Sequence, residues 1–257
     1  MSKKSKELLE EGGERIAKYL SRAGICSRRD AERLINEGRI RVDGEIVTNP
    51  ATFVSDANVI KVDGGSVAKK QPVRLFLFHK PVGLLTTTND PQGRPTVYDV
   101  MPRTMPRVMS VGRLDMNTEG LLLMTNDGGF KRYLELPTTG WVRTYRVRVM
   151  GAIYQDRLER AKRGMTINGI KYGKMDIRLE KAQTSANTWL IISLTEGKNR
   201  EVRRVMEAIG LNVNRLIRVS YGPFKLGNIK RGEIIEIKPE IVKQNLPKAV
   251  AKEIFGN

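Results

Sequence analysis

Gly112-Arg113-Leu114-Asp115-Met116-Asn117-Thr118-Glu119-Gly120 runs directly into Leu121-Leu122-Leu123-Met124. Four consecutive apolar residues behind a polar turn read as a short strand buried on both faces. A turn needs small polar residues and glycine, which accounts for Asn117, Thr118 and Gly120. It does not need an arginine and a carboxylate two residues apart. Arg113 and Asp115 are therefore either a solvated ion pair on a surface turn or reactive groups fixed to a rigid wall.

Outward from that strand, the larger part of the chain reads as α+β. Arg74 to Phe78 opens a strand, and Val142 to Val149 alternates Arg143, Tyr145, Val147 and Val149 against Thr144, Arg146 and Arg148. Similar runs lie at Thr188 to Leu194, Val213 to Val219 and Glu233 to Ile237, with helices expected at Gln155 to Arg163 and Arg200 to Ile209. The expected architecture is a large mixed, mostly antiparallel sheet flanked by helices. In the second helix Val202, Val205, Met206 and Ile209 share one face, with Arg200, Arg203, Arg204 and Glu207 opposite. Glu196-Gly197-Lys198-Asn199 ahead of it supplies a turn, with Asn199 as the expected cap.

Towards the amino terminus the pattern changes. Residues 1–13 are polar and are expected to be a disordered basic tail. Ile16, Ala17, Leu20 and Ala23 then fall at helical spacing, with Gly24 as a stop. Ser27-Arg28-Arg29-Asp30 has the form of a capping box ahead of Ala31, Leu34 and Ile35. Gly38 ends that helix, and Arg39 to Val47 alternates about Asp43-Gly44 as a hairpin. A Gly- and Lys-rich connection, Gly64 to Pro72, separates this small helix-helix-hairpin domain, residues 14–73, from a larger one at 74–243. Residues 244–257 form a carboxy-terminal tail, either a short helix touching a partner or a frayed end.

Charge points to the partner. The 257 residues hold 46 Lys and Arg against 28 Asp and Glu, a net charge of +18, which attracts a polyanion. Residues 1–73 carry 14 basic and 11 acidic groups, leaving 32 and 17 to the remainder, so the larger domain should itself touch the polyanion. Arg15, Lys18, Arg22, Arg28, Arg29 and Arg33 crowd the first two helices. Arg28 and Arg29 occupy a first helical turn, where the macrodipole disfavours cations, so phosphate contact explains them better than helix stability does.

The chain contains no apolar stretch near the roughly 18 residues of a spanning helix, and its start lacks a signal-peptide core. A cytoplasmic, monomeric protein without membrane contact is expected. With one cysteine, Cys26, and one histidine, His79, no intrachain disulfide and no ordinary four-ligand zinc site can form. His79 closes an apolar run and reads as a strand-end residue, so chemistry falls to carboxylate, tyrosine, lysine and arginine.

Arg15 to Ile35, with Gly38 to Gly44, closely resembles the S4-type RNA-binding domain. Four further segments resemble, in order and spacing, the motifs of the RsuA/RluB branch of rRNA pseudouridine synthases. They are His79-Lys80-Pro81-Val82-Gly83, Gly112 to Asp115 with Thr118 to Leu123, Thr144 to Val147, and Glu196 to Arg204. The resemblance implies isomerisation of a chosen uridine in ribosomal RNA to pseudouridine without metal or cofactor. It makes Asp115 the catalytic carboxylate, Tyr145 the residue that packs against the target base, and Arg203 the arginine that pairs with Asp115. Arg113 resembles the arginine that enters the RNA beside the flipped nucleotide, while Lys80 takes a supporting structural or RNA-facing role in the substrate site. Arg200 and Arg204 share the face of Arg203 and are expected on RNA, and any of the three is placed to pair with Asp115. The wording of Lys198 to Arg204 is closer to the large-subunit branch and implies 23S rRNA. The alternatives are a non-catalytic S4-type RNA-binding or ribosome-assembly factor and, more remotely, a nucleoside hydrolase-like enzyme.

Overall fold

The computed structural model describes residues 13–69, 71–181 and 187–256. The tail expected to be disordered lies, apart from Gly13, outside the described residues. Two compact units are present. The first takes the chain up to residue 73, with residues 106–108 and 126–128 grouped with it.

In the first unit, β1 (Glu14–Arg15) leads into α1 (Ile16–Arg22), and α2 (Arg28–Asn36) follows. The capping box forms, with the Asp30 amide donating to Ser27 Oγ at 3.1 Å and the Ser27 amide donating back to Asp30 Oδ2 at 3.3 Å. β2 (Ile40–Val42) and β3 (Glu45–Ile46) make the expected hairpin. Asp43 and Gly44 both adopt positive φ there, 52° and 92°, which matches the right-handed twist of the paired strands. β4 (Phe53–Val54) pairs with β1, while β5 (Ile60–Val62) and β6 (Gly65–Ser66) extend the β3-β2 pair to four strands. Ile16, Leu20, Ala31, Ile35, Ile40 and Val54 close the core between helices and strands.

The second unit is built on β7 (Leu75–Lys80), β8 (Met109–Val111), β9 (Glu119–Thr125), β10 (Arg143–Met150), β13 (Asp176–Lys181), β14 (Asn187–Leu194), β15 (Asn212–Tyr221), β16 (Phe224–Lys225) and β17 (Ile234–Ile237). Among the described residues these form one sheet in the order β13-β14-β10-β15-β9-β7-β17, with β8 on β9 and β16 on β15. A separate hairpin joins β11 (Met165–Ile167) to β12 (Ile170–Tyr172). Every pairing in the large sheet is antiparallel except β9 with β15. That parallel seam unites the two halves of the sheet. It works because residue 120 is glycine: its φ is +108°, and a Cβ there would lie 2.3 Å from the Arg218 carbonyl oxygen. The strand read from the apolar run is buried throughout, as its sequence requires.

α3 (Gly128–Glu135), α4 (Gln155–Arg163) and α5 (Glu201–Ala208) follow their strands. Leu158 and Ala161 of α4 and Val202, Val205 and Met206 of α5 pack on Val147, Val149, Leu190 and Ile192, all from one face of β10 and β14. The chain ends in α6 (Pro239–Gln244) and α7 (Lys248–Phe255). The end is thus a packed helix, with the Phe255 ring edge-on to Phe130 at 5.6 Å. No helix among the described residues is long and apolar enough to cross a membrane.

Candidate active site

A cleft of about 1280 Å³ opens in the second unit where the Asp115 turn, β10, β15 and the loop before α5 converge. Its floor is the turn from Gly112 to Thr118, and that turn is held from four sides. Thr86 grips the Leu114 backbone twice: its hydroxyl donates to the Leu114 carbonyl at 2.9 Å and accepts from the Leu114 amide at 3.3 Å. Glu135 Oε1 accepts from the Gly112 amide at 2.6 Å. The Gly83 amide donates to the Met116 carbonyl at 2.9 Å. From beneath, Lys80 Nζ donates to the carbonyls of Pro81 at 2.9 Å, Thr118 at 2.9 Å and Met116 at 3.3 Å.

Of the two roles expected for Lys80, the structure gives it the structural one. It is wholly buried, so it is not a substrate-binding or RNA-facing group but ties the turn from below. Burial lowers its pKa to about 8, opposed by the attraction of Asp115 and Glu119. Glu119, the other carboxylate of the motif, is also buried and held by Arg215 at 2.5 Å and Arg231 at 3.0 Å. It forms structural ion pairs, and of the two motif carboxylates Asp115 is the one that lines the cleft.

Asp115 is partly open, and its ion-pair partner is Arg200, with Nη1 3.6 Å from Oδ2. Arg203, the partner implied by resemblance, directs its two terminal nitrogens elsewhere. Nη1 donates to the Val213 carbonyl at 2.9 Å and Nη2 to the Asn117 carbonyl at 2.8 Å. It straps the Asp115 turn to β15, and its pKa is lowered by burial and by Arg200 while Asp115 opposes the shift. The reason lies in the backbone. Arg200 is the N-cap residue of α5 in a left-handed conformation, φ 51° and ψ 31°, so its side chain leaves before the helix begins, whereas Arg203 is committed to the helical face. Asn199 is not the cap; its Oδ1 accepts from Arg204 Nη2 at 3.2 Å. Arg204 also donates to the Tyr172 hydroxyl at 3.3 Å and does not line the cleft.

Tyr145 lines the cleft from β10, half-buried and packed against the core cluster, and Arg113 is exposed on the turn. Arg143 donates to the Thr195 carbonyl at 2.6 Å and the Tyr221 hydroxyl at 2.9 Å, fixing the loop that carries Arg200. Beneath that loop Glu201 is buried, and its Oε2 accepts from the Lys198 amide at 2.9 Å. Burial and the neighbouring Glu196 raise its pKa to about 7. His79 stays outside the cleft, its Nδ1 2.7 Å from the Ile229 carbonyl oxygen.

Thr86, Glu135 and Arg218 of the cleft escaped the sequence reading. Arg218 lies cross-strand from Tyr145, almost wholly buried, with Nε donating to the Leu121 carbonyl at 2.7 Å and the guanidinium 5.1 Å from the Tyr221 ring centre. Its Nη2 is buried without a partner among the described residues, so this wall holds a donor with no acceptor of its own. An arginine interrupting the apolar run from Val213 to Val219 was the available signal.

In the first unit Arg15, Arg28 and Arg29 are exposed and have no ion pair among the described residues. Lys18 and Arg22 are paired with Glu14 at 2.9 and 3.3 Å, and Arg33 with Glu37 at 3.1 Å, so their charge is partly satisfied internally. Among the described residues no cluster of three His, Cys, Asp or Glu could hold a metal ion.

Residues 74–208 match the family model described as RNA pseudouridylate synthase, and residues 14–60 match the S4 domain. An uncharacterized RNA pseudouridine synthase of Rickettsia felis is 47% identical over 232 residues, 90% of this chain and 100% of that one. The ribosomal large subunit pseudouridine synthase B of Yersinia pestis is 41% identical over 220 residues, 83% of this chain and 69% of that one. A crystal structure of a pseudouridylate synthase superposes with a TM-score of 0.64 at 21% identity, covering 90% of this chain and 99% of that one, which shows a shared fold.

Proposed function

We propose, since the chain belongs to the RNA pseudouridine synthases and is an isomerase of that family, that Asp115 is its catalytic carboxylate and large-subunit ribosomal RNA its substrate. The observation that carries the reading is the position of Asp115: a carboxylate lining the cleft, on a turn tied down from beneath by Lys80, facing Arg200 and a tyrosine wall. The large-subunit substrate rests on the relative from Yersinia pestis and its printed name.

The reaction breaks the N1 to C1′ bond of uridine, turns the uracil, and joins C5 to C1′. The C5 proton leaves and N1 gains one, so substrate and product have the same composition. An electron-poor sugar or base in transit calls for an anion beside it. Asp115 serves as that anion by adding to the base, by capture at C1′, or by removing a proton to give a glycal. Arg200 keeps Asp115 ionised and oriented, Arg203 holds the turn that carries it, and Tyr145 stacks on the flipped uracil. The uracil must stay in the site and water must be kept out, or hydrolysis would follow. Arg113 enters the RNA beside the flipped nucleotide, while Arg15, Arg28 and Arg29 of the S4 unit dock the surrounding rRNA. The chain acts as a monomer and needs neither metal nor cofactor for these steps.

Transcribed rRNA fragments carrying tritium at uracil C5 test this. The wild-type chain should release tritium to water without liberating free uracil. Asp115→Asn should abolish release while holding RNA affinity within about threefold. Full release by that variant would falsify the assignment of Asp115.

A further inference from the structure

Among the described residues, α4 and α5 pack on one face of β10 and β14. Alternation along β10 sends Tyr145, Val147 and Val149 towards the cleft and the core, and Arg146 and Arg148 to the opposite face. Register sets Trp189 of β14 and Arg215 of β15 on either side of Arg148, so Trp189, Arg148 and Arg215 form one row across three strands. All three arginine side chains converge on the indole: the guanidinium carbons of Arg146, Arg148 and Arg215 lie 4.1, 6.0 and 5.9 Å from the Trp189 ring centre. Among the described residues, the core cluster under α4 and α5 includes none of these three side chains.

Two of the arginines are partly neutralised. Arg146 pairs with Glu180 at 2.8 Å and Arg215 with Glu119 at 2.5 Å. Arg148 is different: its side-chain acceptor is the neutral Asn214 Oδ1 at 3.1 Å, and among the described residues no carboxylate stands within ion-pair distance of it. A half-buried indole flanked by flat guanidinium planes, with a surplus of positive charge on an open antiparallel sheet, suits a strand whose bases are unpaired. Bases stack on such planes whatever their identity, and phosphates meet the arginines. A duplex keeps its bases inside its own stack and has no use for the flat aromatic surface. Trp and Arg also anchor protein interfaces, but the core of such an interface is depleted of charge, and the surplus cation here favours a phosphate-bearing strand.

We infer that the Trp189–Arg148–Arg215 row is a second RNA-binding platform, on the sheet face opposite the cleft, which takes a single-stranded segment of the RNA substrate. It rests on the RNA-modifying reading, yet its chemistry is independent of Asp115. The platform adds affinity for unpaired RNA and takes no part in the reaction.

The test uses the full chain and a fluorescent twelve-nucleotide oligoadenylate, which has no uridine to place in the cleft. Binding is followed by anisotropy at several salt concentrations. Arg148→Glu should weaken binding at least about tenfold and Arg148→Gln about threefold, the latter lowering the log-log salt slope by about 0.7, the share of one phosphate on a single strand. Trp189→Leu should weaken it about fivefold or more. Asp115→Asn should bind the oligoadenylate as the wild type does, so failure of the catalytic assignment would leave this result standing. Tritium release from a stem-loop without single-stranded flanks should be unchanged in Arg148→Glu, which also reports that the variant is folded. Oligoadenylate affinity within twofold of wild type in Arg148→Glu, with the loss found instead in Arg113→Glu, would confine strand binding to the cleft and overturn the platform.

Discussion

Lys80 shows how far a residue's role can lie from its motif. Its position beside Pro81 and Gly83 was readable in the chain, but not that its ammonium would end under the Asp115 turn, donating to three carbonyls. A buried ammonium keeps its charge only while such acceptors surround it, and here burial already lowers its pKa to about 8. Lys80→Met preserves length but removes every donor, leaving buried carbonyls unanswered at a cost of about 2 kcal/mol in stability. The turn would then lose its anchor. Tritium release should drop at least about tenfold with RNA affinity unchanged, a loss in kcat that a residue facing RNA would not produce. Unaltered turnover with weakened binding would return Lys80 to the RNA side. Arg200 and Arg203 make the same point, because three residues of spacing could not tell which arginine reaches a carboxylate from another part of the chain.

Elements were more legible than roles. The capping box of α2, the Asp43-Gly44 hairpin and the apolar run of β9 each rest on local rules, and each forms where those rules put it. The start of α5 did not follow its local rule. Asn199 was the natural cap, but the chain turns through a left-handed Arg200, with no side-chain cap, and Glu201 accepts from the Lys198 amide ahead of the helix. That exchange places a buried carboxyl at the helix start, with Glu196 and Lys198 as its charged neighbours. Its pKa rises to about 7 in the fold from an ordinary value near 4.5. Between those values the folded chain holds a proton that the unfolded chain has released, so this group's contribution falls as pH rises through the window and the full penalty is present above pH 7. Each unit of displacement corresponds to about 1.4 kcal/mol. Glu201→Gln should therefore melt higher than the wild type at pH 8 and show a smaller change in Tm between pH 5 and pH 8 by calorimetry. An identical pH dependence in both proteins would show that Glu201 is ionised throughout.

For the molecule as a whole, net charge is the property that composition states directly. A surplus of 18 positive charges implies binding driven largely by release of counterions from the RNA. If about six phosphates are engaged, affinity for a structured rRNA fragment should fall on the order of a thousandfold between 50 and 200 mM salt, measured by filter binding. A nearly flat salt profile would mean that base contacts dominate. The sequence by itself determined the class of partner, the helices and turns of the first unit, the buried strand at the heart of the second, and the motifs that lead to a uridine isomerase. These depend on charge, on periodicity and on neighbours within a few residues of one another. Only the tertiary structure decided that Arg200 faces Asp115, that Lys80 ends buried beneath the Asp115 turn, and that Arg218 stands in the cleft wall with a donor that has no partner among the described residues. Those arrangements depend on the parallel seam between β9 and β15, which brings residues about a hundred positions apart into contact through a glycine that leaves them room. No local pattern encodes which strands meet, because the meeting is chosen by the burial of both faces at once.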